Sequence, residues 1–459
     1  MNRTMQDTHD GVRVRFPPSP TGAMHLGNIR TAIFNHLFAR HHGGTFILRI
    51  EDTDAARSKK EYEKDILASL AWLAIPYDEF HRQSERAARH QECLERMIQE
   101  ERAYLAEENQ DGTGRVVRFK NPKKTVTFHD LIRGDISFDT TELGDFVIAR
   151  APDRPLYHLA VVVDDADMRI THIIRGEDHI SNTPRQMLLQ EALGAAVPQY
   201  AHLPLVLAQD KTKLSKRSGS LSIAELRAHG YLPDAVVNYL ALLGWHPEDD
   251  REIFTREELV AAFDLSRVQT GAAIFDPQKL RWVNKQHLAL LSDEAFEALL
   301  HEYLNAHPLP APLSEHALTA LLPLLRERLE VFADMETLAR EGEFDFLRKD
   351  FSLSEEEAEA LVFPKACGKA GARERAARHL EEVACLLEAL PEEAFTPEKI
   401  KDALWSYAEQ EGRGEVLWPM RYALSGRARS FDPFSLAAAL GKEETLRRLG
   451  HAAKLAAKP

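Results

Sequence analysis

A proline- and glycine-rich turn, RFPPSPTGAMHLGN at residues 15–28, joins a predicted strand at residues 12–16 to a predicted helix at residues 29–42. The start of a helix presents unpaired backbone N–H groups and a partial positive charge, which suit a phosphate. His25 and Asn28 are three residues apart, so they share the face of the first helical turn. The tetrapeptide H-x-G-N alone is more often an ordinary loop with a surface histidine, whereas the longer string S-P-T-G-x-x-H-x-G is much rarer by chance. We therefore expect a phosphate-binding turn here.

A second distinctive string is KLSKR at residues 213–217, in which two lysines are three residues apart. The loop at residues 210–217 has four basic residues and one acidic residue, with serine and glycine beside them. Such a flexible cationic loop can stabilise charge on a transferring phosphate, although a solvated basic turn is the alternative. The string EDTD at residues 51–54 offers carboxylates for an ammonium group or Mg²⁺, or else forms an acidic loop. The cluster Asp164, Asp165 and Asp167 we interpret as a turn.

Strands and helices alternate on both sides of a segment of different composition. Before it, we expect a strand at residues 45–50 and a helix at residues 59–73, with Ser58 and Glu61 as a capping box. Within it, a helical stretch at residues 84–108 precedes short strands at residues 116–119, 125–128, 136–138 and 146–149. After it, we expect a strand at residues 171–174, a helix at residues 183–193 with Pro184 in its first turn, and a strand at residues 203–208.

The predicted fold is multidomain: an α/β, Rossmann-like parallel-sheet domain is split by an α+β insertion and followed by helical regions. We expect the first half of the sheet domain at residues 11–80, the insertion at residues 81–169, the second half at residues 170–220, a helical region at residues 221–313 and an all-α region at residues 314–459. The stretch NAHPLPAPLS at residues 305–314 is the best linker candidate. Thr396 is expected to cap a helix that has Pro397 in its first turn.

The composition indicates a folded protein with buried cores, since 44% of the 459 residues are hydrophobic and 28% are charged. A net charge of −14 argues against a protein that coats nucleic acid or membranes indiscriminately. Cys93, Cys367 and Cys385 lie far apart, which excludes a disulfide framework and a thiolate zinc ribbon. No apolar run approaches the roughly 20 residues of a membrane-spanning helix, and residues 1–10 do not resemble a signal peptide. We therefore expect a cytoplasmic protein that does not bind membranes.

The order and spacing of these strings resemble those of bacterial glutamyl-tRNA synthetases, which are class I aminoacyl-tRNA synthetases. The resemblance covers the chain from about residue 12 onward and is carried by PSPTGAMHLGNIRTAIFN, FILRIEDTDAARS, DFVIAR, VVVDDADMRITHIIRGEDHISNTPRQ, KLSKRSG, GYLPDAVVNYLALLGW, FDPQKLRWVN, GEVLWPMRYALSG and LGKEETLRRL. It implies that the insertion binds the acceptor end of a tRNA and that residues 221–313 contact its stem. It also implies that the all-α region binds the anticodon, where unstacked bases permit sequence-specific recognition.

The resemblance further implies a two-step reaction, in which L-glutamate and ATP give glutamyl-adenylate and the acyl group passes to the terminal adenosine of tRNA(Glu). Mg²⁺ is expected with ATP, and no residue is expected to hold a resident metal. The residues implied to bind ATP are His25, Gly27, Asn28, Lys213, Ser215 and Lys216, of which His25, Asn28, Lys213 and Lys216 are catalytic. The residues implied to bind glutamate are Arg15, Ser19, Glu51, Tyr157 and Arg175. Arginines suit a carboxylate and Glu51 an ammonium group, while Tyr157 is alternatively a core aromatic.

Two departures from the family pattern are informative. Pro17 stands where many relatives have alanine, as in glutaminyl-tRNA synthetases, yet the RIEDTD string and the helical last third remain of the glutamyl type. Many relatives have a Cys-x-Cys zinc site after the Ala-Tyr pair that corresponds to Ala103 and Tyr104. Residues 105–109 contain no cysteine here, so no zinc is expected.

Two basic strips are expected to meet RNA phosphates, residues 115–134 with a net charge of +5 and residues 427–459 with a net charge of +4. The alternatives are a lysine-protected sheet edge for the first strip and a solvated helix face for the second. Two other functions remain open: a paralogue that charges tRNA(Gln) with glutamate, and a catalytically silent RNA-binding paralogue. The second usually loses the histidine or lysine string, and both are intact. Family resemblance implies a monomer.

Overall fold

A computed structural model describes residues 11–54, 56–107, 115–151, 154–212, 214, 222–310, 312–348 and 350–458. The chain divides into two compact units, one ending at His287 and the other beginning at Leu288. This division precedes the proline-rich stretch at residues 305–314, which we favoured as a linker. That stretch joins two helices of the second unit, and Ser314 caps the later one by accepting from the Ala317 N–H.

The strands of the described residues all lie in the first unit. They are β1 Arg13–Phe16, β2 Thr45–Ile50, β3 Glu79–Arg82, β4 Ala103–Glu107, β5 Arg115–Phe119, β6 Thr125–Asp130, β7 Gly134–Asp139, β8 Phe146–Ala151, β9 Arg154–Pro155, β10 His172–Gly176, β11 Gln199–Leu203, β12 Val206–Leu207 and β13 Ala273–Ile274. Strands β1, β2 and β3 are parallel, as are β10 and β11. The Thr171 N–H donates to the Arg13 carbonyl over 2.9 Å, which places β10 beside β1. The two halves of the predicted parallel sheet therefore meet at β1.

The inserted segment contributes to both a separate sheet and the parallel one. Strands β4, β5, β8 and β9 form an antiparallel sheet, as the short predicted strands indicated. The hairpin of β6 and β7 instead joins β11, through the pair Tyr200 and Asp130. The antiparallel sheet shares one buried core with helices on either side of it, which includes Leu94, Val117, Leu159 and Leu189. Burial of these apolar side chains holds the insertion against the second half of the parallel sheet.

The helices are α1 Leu26–His41, α2 Lys60–Trp72, α3 Ala87–Gln99, α4 Tyr157–Asp167, α5 Thr183–Leu193, α6 Ile223–Ala228, α7 Pro233–Leu242, α8 Arg256–Ala262, α9 Pro277–Leu290, α10 Asp293–Ala306, α11 Glu315–Arg328, α12 Asp334–Arg340, α13 Ala372–Glu388, α14 Pro397–Glu411, α15 Arg413–Ser425, α16 Pro433–Leu440 and α17 Lys442–Ala457. Pro184 lies in the first turn of α5 and Thr396 caps α14, as predicted. The predicted cap of α2 is wrong: Lys59 is the N-cap and makes no side-chain capping bond.

Three other sequence interpretations are wrong in whole or in part. The acidic cluster at Asp164 and Asp165 is the last turn of α4, buried and paired with arginines, rather than a surface turn. The strand predicted at residues 203–208 ends at Leu203, because Pro204 has no N–H to continue the ladder. The helix predicted to residue 108 ends at Gln99, and residues 103–107 pair with β5.

The second unit is helical throughout its described residues, as predicted for the last third of the chain. Helices α13 and α17 bury aliphatic residues against each other and against α15, including Leu380, Val416 and Leu449. None of the helices formed by the described residues combines the length and apolarity needed to traverse a lipid bilayer.

Candidate active site

The proline-rich turn after β1 is held by backbone bonds to the neighbouring acidic loop. The Pro18 carbonyl accepts from the Glu51 N–H over 3.0 Å, and the Pro20 carbonyl accepts from the Lys59 N–H over 3.0 Å. At its far end, the Met24 N–H donates to the Asp65 carboxylate over 2.7 Å. Prolines carry no N–H of their own, so their carbonyls are the groups left to bond. The turn is thereby fixed over the ends of β1 and β2.

His25 is the N-cap of α1, and its side chain accepts from the Asn28 N–H. A Cβ atom at Gly27 would lie 3.3 Å from the His25 ring, so glycine leaves room for the imidazole at the helix end. His25 is exposed, and Gly27 and Asn28 are half-buried. The structure thus brings these three predicted residues together at the positive end of a 16-residue helix.

The lysine string lies largely outside the described residues. The structure does not describe Lys213, Ser215 and Lys216, which are all predicted to contact ATP. Just before them, the Asp210 carboxylate accepts from both the N–H and the hydroxyl of Thr212. The roles of the three residues therefore stay predictions.

Arg15 belongs to a buried network of charged side chains at the ends of β1, β2 and α4. Its Nε donates to the Asp165 carboxylate over 3.2 Å, and Arg49 donates to the same carboxylate over 2.7 Å. Arg49 also donates to Glu51 over 3.0 Å, and all four side chains are at most 6% exposed. Although burial opposes it, Arg15 and Arg49 hold the pKa of Asp165 below its usual range. The Nη1 atom of Arg15 is buried and has no hydrogen-bond partner.

Asp164 extends this network in the opposite direction, towards the insertion. Its carboxylate accepts from Gln83 over 2.9 Å and from Arg86 over 2.6 Å, and lies 2.7 Å from His90 Nε2. Asp164 and His90 are fully buried. Neighbouring residues of a helix point about 100° apart, so the two aspartates can serve different partners.

Arg175, at the end of β10, is a buried cation with neutral neighbours. It donates to Gln186 over 2.7 Å, to Thr183 over 2.7 Å and to His202 Nε2 over 3.3 Å, and its guanidinium lies over the Tyr200 ring. Arg175 is 6% exposed and makes no ion pair with a carboxylate among the described residues. Burial lowers its pKa. An uncompensated buried charge is costly, so this position favours an anionic ligand.

Tyr157 begins α4 and completes the group of predicted pocket residues. Its side chain is 38% exposed, yet the surrounding protein desolvates the hydroxyl and, with Glu51, raises the pKa of Tyr157. Arg175 and Arg15 act on the pKa of the same hydroxyl in the opposite direction. An accessible but desolvated group is typical of a cleft, so the core interpretation of Tyr157 is wrong. Ser19 is exposed in the turn.

The charges around this cleft do not cancel. Arg15, Arg49 and Arg175 face Asp165 and Glu51, and Asp164, 4.0 Å from Arg49, is paired with Arg86, which leaves one net positive charge. Burial raises the pKa of Glu51, and Arg49 acts against that shift. The sequence interpretation missed Arg49, Asp165 and His202. The arginine inside the otherwise apolar strand TFILRI was the available signal, because a charge there requires a buried partner.

The first basic strip is less available to RNA than its sequence suggested. Lys124 pairs with Glu191 over 2.5 Å, Arg133 pairs with Glu177, and Arg118 donates to the Asp145 carbonyl. Of its six cations, Arg115, Lys120 and Lys123 are exposed and make no ion pair with a described residue.

The second basic strip is also largely paired inside its own unit. Arg447 and Arg448 both donate to Glu444 over 2.6 Å, and Lys458 pairs with Glu355. Lys442 donates to the backbone carbonyls of Glu388 and Leu390. Much of this positive charge therefore stabilises the helical unit.

Two family profiles match the chain. The first, described as the catalytic domain of class I tRNA synthetases (E and Q), matches residues 11–112 and 105–282. The second, described as an anticodon binding domain, matches residues 295–453. Together with the split parallel sheet and the helical second unit, they define a class I aminoacyl-tRNA synthetase.

Full-length relatives specify the family further. The glutamate–tRNA ligase of Desulforudis audaxviator is 39% identical over 96% of both chains, and that of Carboxydothermus hydrogenoformans is 38% identical over 95% of this chain and 99% of its own. The chain belongs to the glutamate–tRNA ligases. A crystal structure of a glutamate tRNA ligase from Elizabethkingia meningosepticum, in complex with its amino acid, superposes with a TM-score of 0.82 at 31% identity, covering 96% of this chain and 99% of that one.

Proposed function

We propose that this chain activates L-glutamate with ATP and transfers it to tRNA(Glu). The α-carboxylate attacks the α-phosphorus of ATP, which forms glutamyl-adenylate and releases pyrophosphate. The terminal adenosine hydroxyl of the tRNA then attacks the acyl carbon, and AMP leaves. Since the nucleophile of the first step is already an anion, the protein has mainly to orient the reactants and neutralise charge.

The observation that carries the proposal is the net positive charge of the cleft around Arg15 and Arg175. Arg15 has a buried Nη1 without a partner, and Arg175 is buried without a carboxylate among the described residues. At neutral pH glutamate carries two carboxylates and one ammonium group, a net charge of −1 that matches the net charge of the cleft. Glutamine is neutral and would leave the cleft charged. The charge balance therefore favours glutamate over its amide.

Each remaining residue has a role that follows from its place. The carboxylate of Glu51 binds the substrate ammonium group, while the hydroxyls of Tyr157 and Ser19 can form hydrogen bonds at the cleft. His25, Gly27 and Asn28 form the helix end that receives ATP. Lys213, Ser215 and Lys216, which lie outside the described residues, complete the phosphate contacts in this proposal.

The metal ion belongs to the substrate in this proposal. No group of three or more histidine, cysteine, aspartate or glutamate side chains suited to a metal occurs among the described residues. We propose that Mg²⁺ arrives as MgATP, held by the phosphates, and assign no step to it. We also propose that no zinc is bound, that the enzyme is a cytoplasmic monomer, and that tRNA(Glu) is its substrate in preference to tRNA(Gln).

The test is substitution of Arg15 by lysine. An Arg15→Lys variant keeps the positive charge beside Asp165 but loses the second donor of the planar guanidinium. We expect the KM for glutamate in ATP–pyrophosphate exchange, with tRNA present, to rise about 10- to 100-fold, the scale of a charged hydrogen bond. The KM for ATP should stay within about twofold, since Arg15 lies on the amino-acid side.

Arg13→Lys is the matched control, because Arg13 lies on the same strand but pairs with Glu79 instead. An equal rise in both KM values for Arg15→Lys would contradict the assignment. Charging assays with purified tRNA(Glu) and tRNA(Gln) determine which tRNA is accepted, and charging of tRNA(Gln) alone would replace the proposed function by that of the paralogue.

A further inference from the structure

A buried histidine and aspartate lie directly behind Arg175. His202 and Asp130 are fully buried, at neighbouring positions of β11 and β6. The His202 Nδ1 atom is 2.6 Å from Asp130 Oδ2, and the His202 backbone N–H donates to the same oxygen over 3.1 Å. The other oxygen, Oδ1, accepts the N–H groups of Ile132 and Arg133 over 3.0 Å each. Both oxygens of Asp130 therefore act as acceptors.

This arrangement determines which imidazole nitrogen carries the proton. Because Asp130 Oδ2 accepts, Nδ1 of His202 must be the donor. On the other side, Arg175 Nε donates to His202 Nε2 over 3.3 Å, and the Thr183 hydroxyl lies 3.1 Å from the same atom. A guanidinium N–H cannot accept, whereas the Thr183 hydroxyl can donate, so both contacts are satisfied by an unprotonated Nε2 in a neutral imidazole. Burial lowers the pKa of His202, although the bond to Asp130 acts against that shift, in agreement with a neutral ring.

We propose that Asp130 and His202 are positioning residues for Arg175, in which the aspartate fixes the histidine tautomer whose free Nε2 orients the guanidinium towards the substrate carboxylate. The proposal rests on the proposed function of Arg175. Nε of Arg175 has no acceptor other than His202 among the described residues, whereas its other two nitrogens reach Gln186 and Thr183. His202 thus fixes the end of the guanidinium nearest the chain.

The same contacts connect the insertion to the amino-acid pocket. Asp130 ends the inserted strand β6, and its carboxylate also shapes the turn into β7 through Ile132 and Arg133. Arg133 in turn pairs with Glu177, two residues beyond Arg175. A displacement of the β6–β7 hairpin would therefore reach Arg175 through a single imidazole ring.

Two substitutions of His202 test the proposal. His202→Gln places an amide oxygen near the position of Nε2, whereas His202→Asn supplies an amide near Nδ1 and leaves Arg175 without its acceptor. We expect His202→Asn to raise the KM for glutamate about 10- to 100-fold with the KM for ATP unchanged, and His202→Gln to stay within about threefold of the wild type. Equal loss in both variants, or an equal rise in both KM values, would overturn the proposal.

Asp130→Asn tests the tautomer without removing side-chain volume. Two backbone N–H groups bond to Oδ1 alone and that of His202 is shared between Oδ1 and Oδ2, so the asparagine oxygen stays at Oδ1 and its NH₂ group replaces Oδ2 and faces His202 Nδ1. The imidazole must then carry its proton on Nε2, opposite the Arg175 donor. We expect ¹⁵N spectra of histidine-labelled protein, assigned by the loss of the His202 signal in His202→Gln, to show that exchange of tautomers together with a raised KM for glutamate. An unchanged tautomer, or a changed tautomer with wild-type KM, would refute the proposal.

Arg175→Lys separates this inference from the proposed function. A wild-type KM for glutamate in that variant would remove the role of Arg175, and the positioning role with it. If Arg175→Lys raises the KM while His202→Asn and Asp130→Asn do not, the proposed function stands and only the inference fails.

Discussion

Arginines on one strand can have different partners even where they share a face of the sheet, as Arg13 and Arg15 do at positions two residues apart. Arg13 donates to Glu79 near the surface, whereas Arg15 is buried against Asp165. Arg49 shares that aspartate and has both of its terminal nitrogens bonded to carboxylates. Of the two buried arginines, Arg15 has a terminal nitrogen without a hydrogen-bond partner among the described residues, which is why it, and not Arg49, is assigned to the substrate.

Gly27→Ala tests the geometry of the helix end. The added Cβ would lie 3.3 Å from the His25 ring and should turn the imidazole away. We expect the KM for ATP to rise roughly tenfold, since small misplacements of a positioning group are costly. The melting temperature should stay the same or rise, because alanine favours a helix over glycine by about 1 kcal/mol.

Gly22→Ala is the control for this substitution, since a Cβ there meets nothing within 4 Å. Steady-state kinetics with ATP and glutamate varied separately measure the effect. Matching KM values for ATP in the two variants would contradict a role for the Gly27 contact.

Helix α4 is the element that the sequence pattern described least well. Its apolar run, LAVVV at residues 159–163, packs into the core of the insertion, and its acidic end binds the arginines of the cleft. The sequence indicated Arg15, Glu51 and Arg175 through the family resemblance, and Glu51 also through its place directly after a strand. It could not predict their shared partners, because Asp165 is 150 residues from Arg15 in the chain and an acidic cluster is usually a solvated turn.

A buried histidine on helix α1 leads us to expect that the protein loses stability in mild acid. His36 lies on this helix, and burial, aided by Arg40 and Arg256, lowers its pKa to about 4. Its unfolded pKa is about 6.5, so the unfolded chain binds more protons below that pH and stability falls as pH decreases towards 4. We expect this residue alone to cost roughly 2 kcal/mol of unfolding free energy between pH 7 and pH 5.

Denaturant unfolding of wild-type protein and His36→Gln at the two pH values measures this contribution. Glutamine does not titrate, so the variant should lose less stability than the wild type over the same interval. Identical losses would show that His36 is protonated equally in the folded and unfolded states.

The whole molecule distributes its charge differently from the expectation based on sequence. The net charges of two sequence segments predicted two basic strips that bind RNA. A net charge does not show which lysines and arginines form ion pairs in the folded protein. Lys124, Arg133 and Arg448 all pair with carboxylates that are distant or on another turn. The domain order and parallel sheet could be predicted because periodicity and motif order are local, whereas such pairings are not.

Lys120 and Lys123, together with Arg115, are therefore the cations of the first strip that we expect to contact tRNA. A Lys120→Gln and Lys123→Gln double variant should weaken tRNA binding and reduce the slope of log Kd against log salt by about two, one for each phosphate contact. The slope is obtained from tRNA binding without glutamate, measured by fluorescence titration at several salt concentrations.

Lys124→Gln is the control for that double variant, because Lys124 is already neutralised by Glu191. Its salt slope should match that of the wild type. A slope unchanged in the double variant would place the RNA elsewhere on the molecule.

The adjacent carboxylates at the end of α4 restrict how this chain can change in length. Asp164 serves Arg86 and His90, while Asp165 serves Arg15 and Arg49. One residue inserted or deleted earlier in the helix would rotate both carboxylates by about 100°, away from their present partners. Insertions and deletions should therefore accumulate in the loops around α4 during evolution, while the spacing from Tyr157 to Asp165 stays constant.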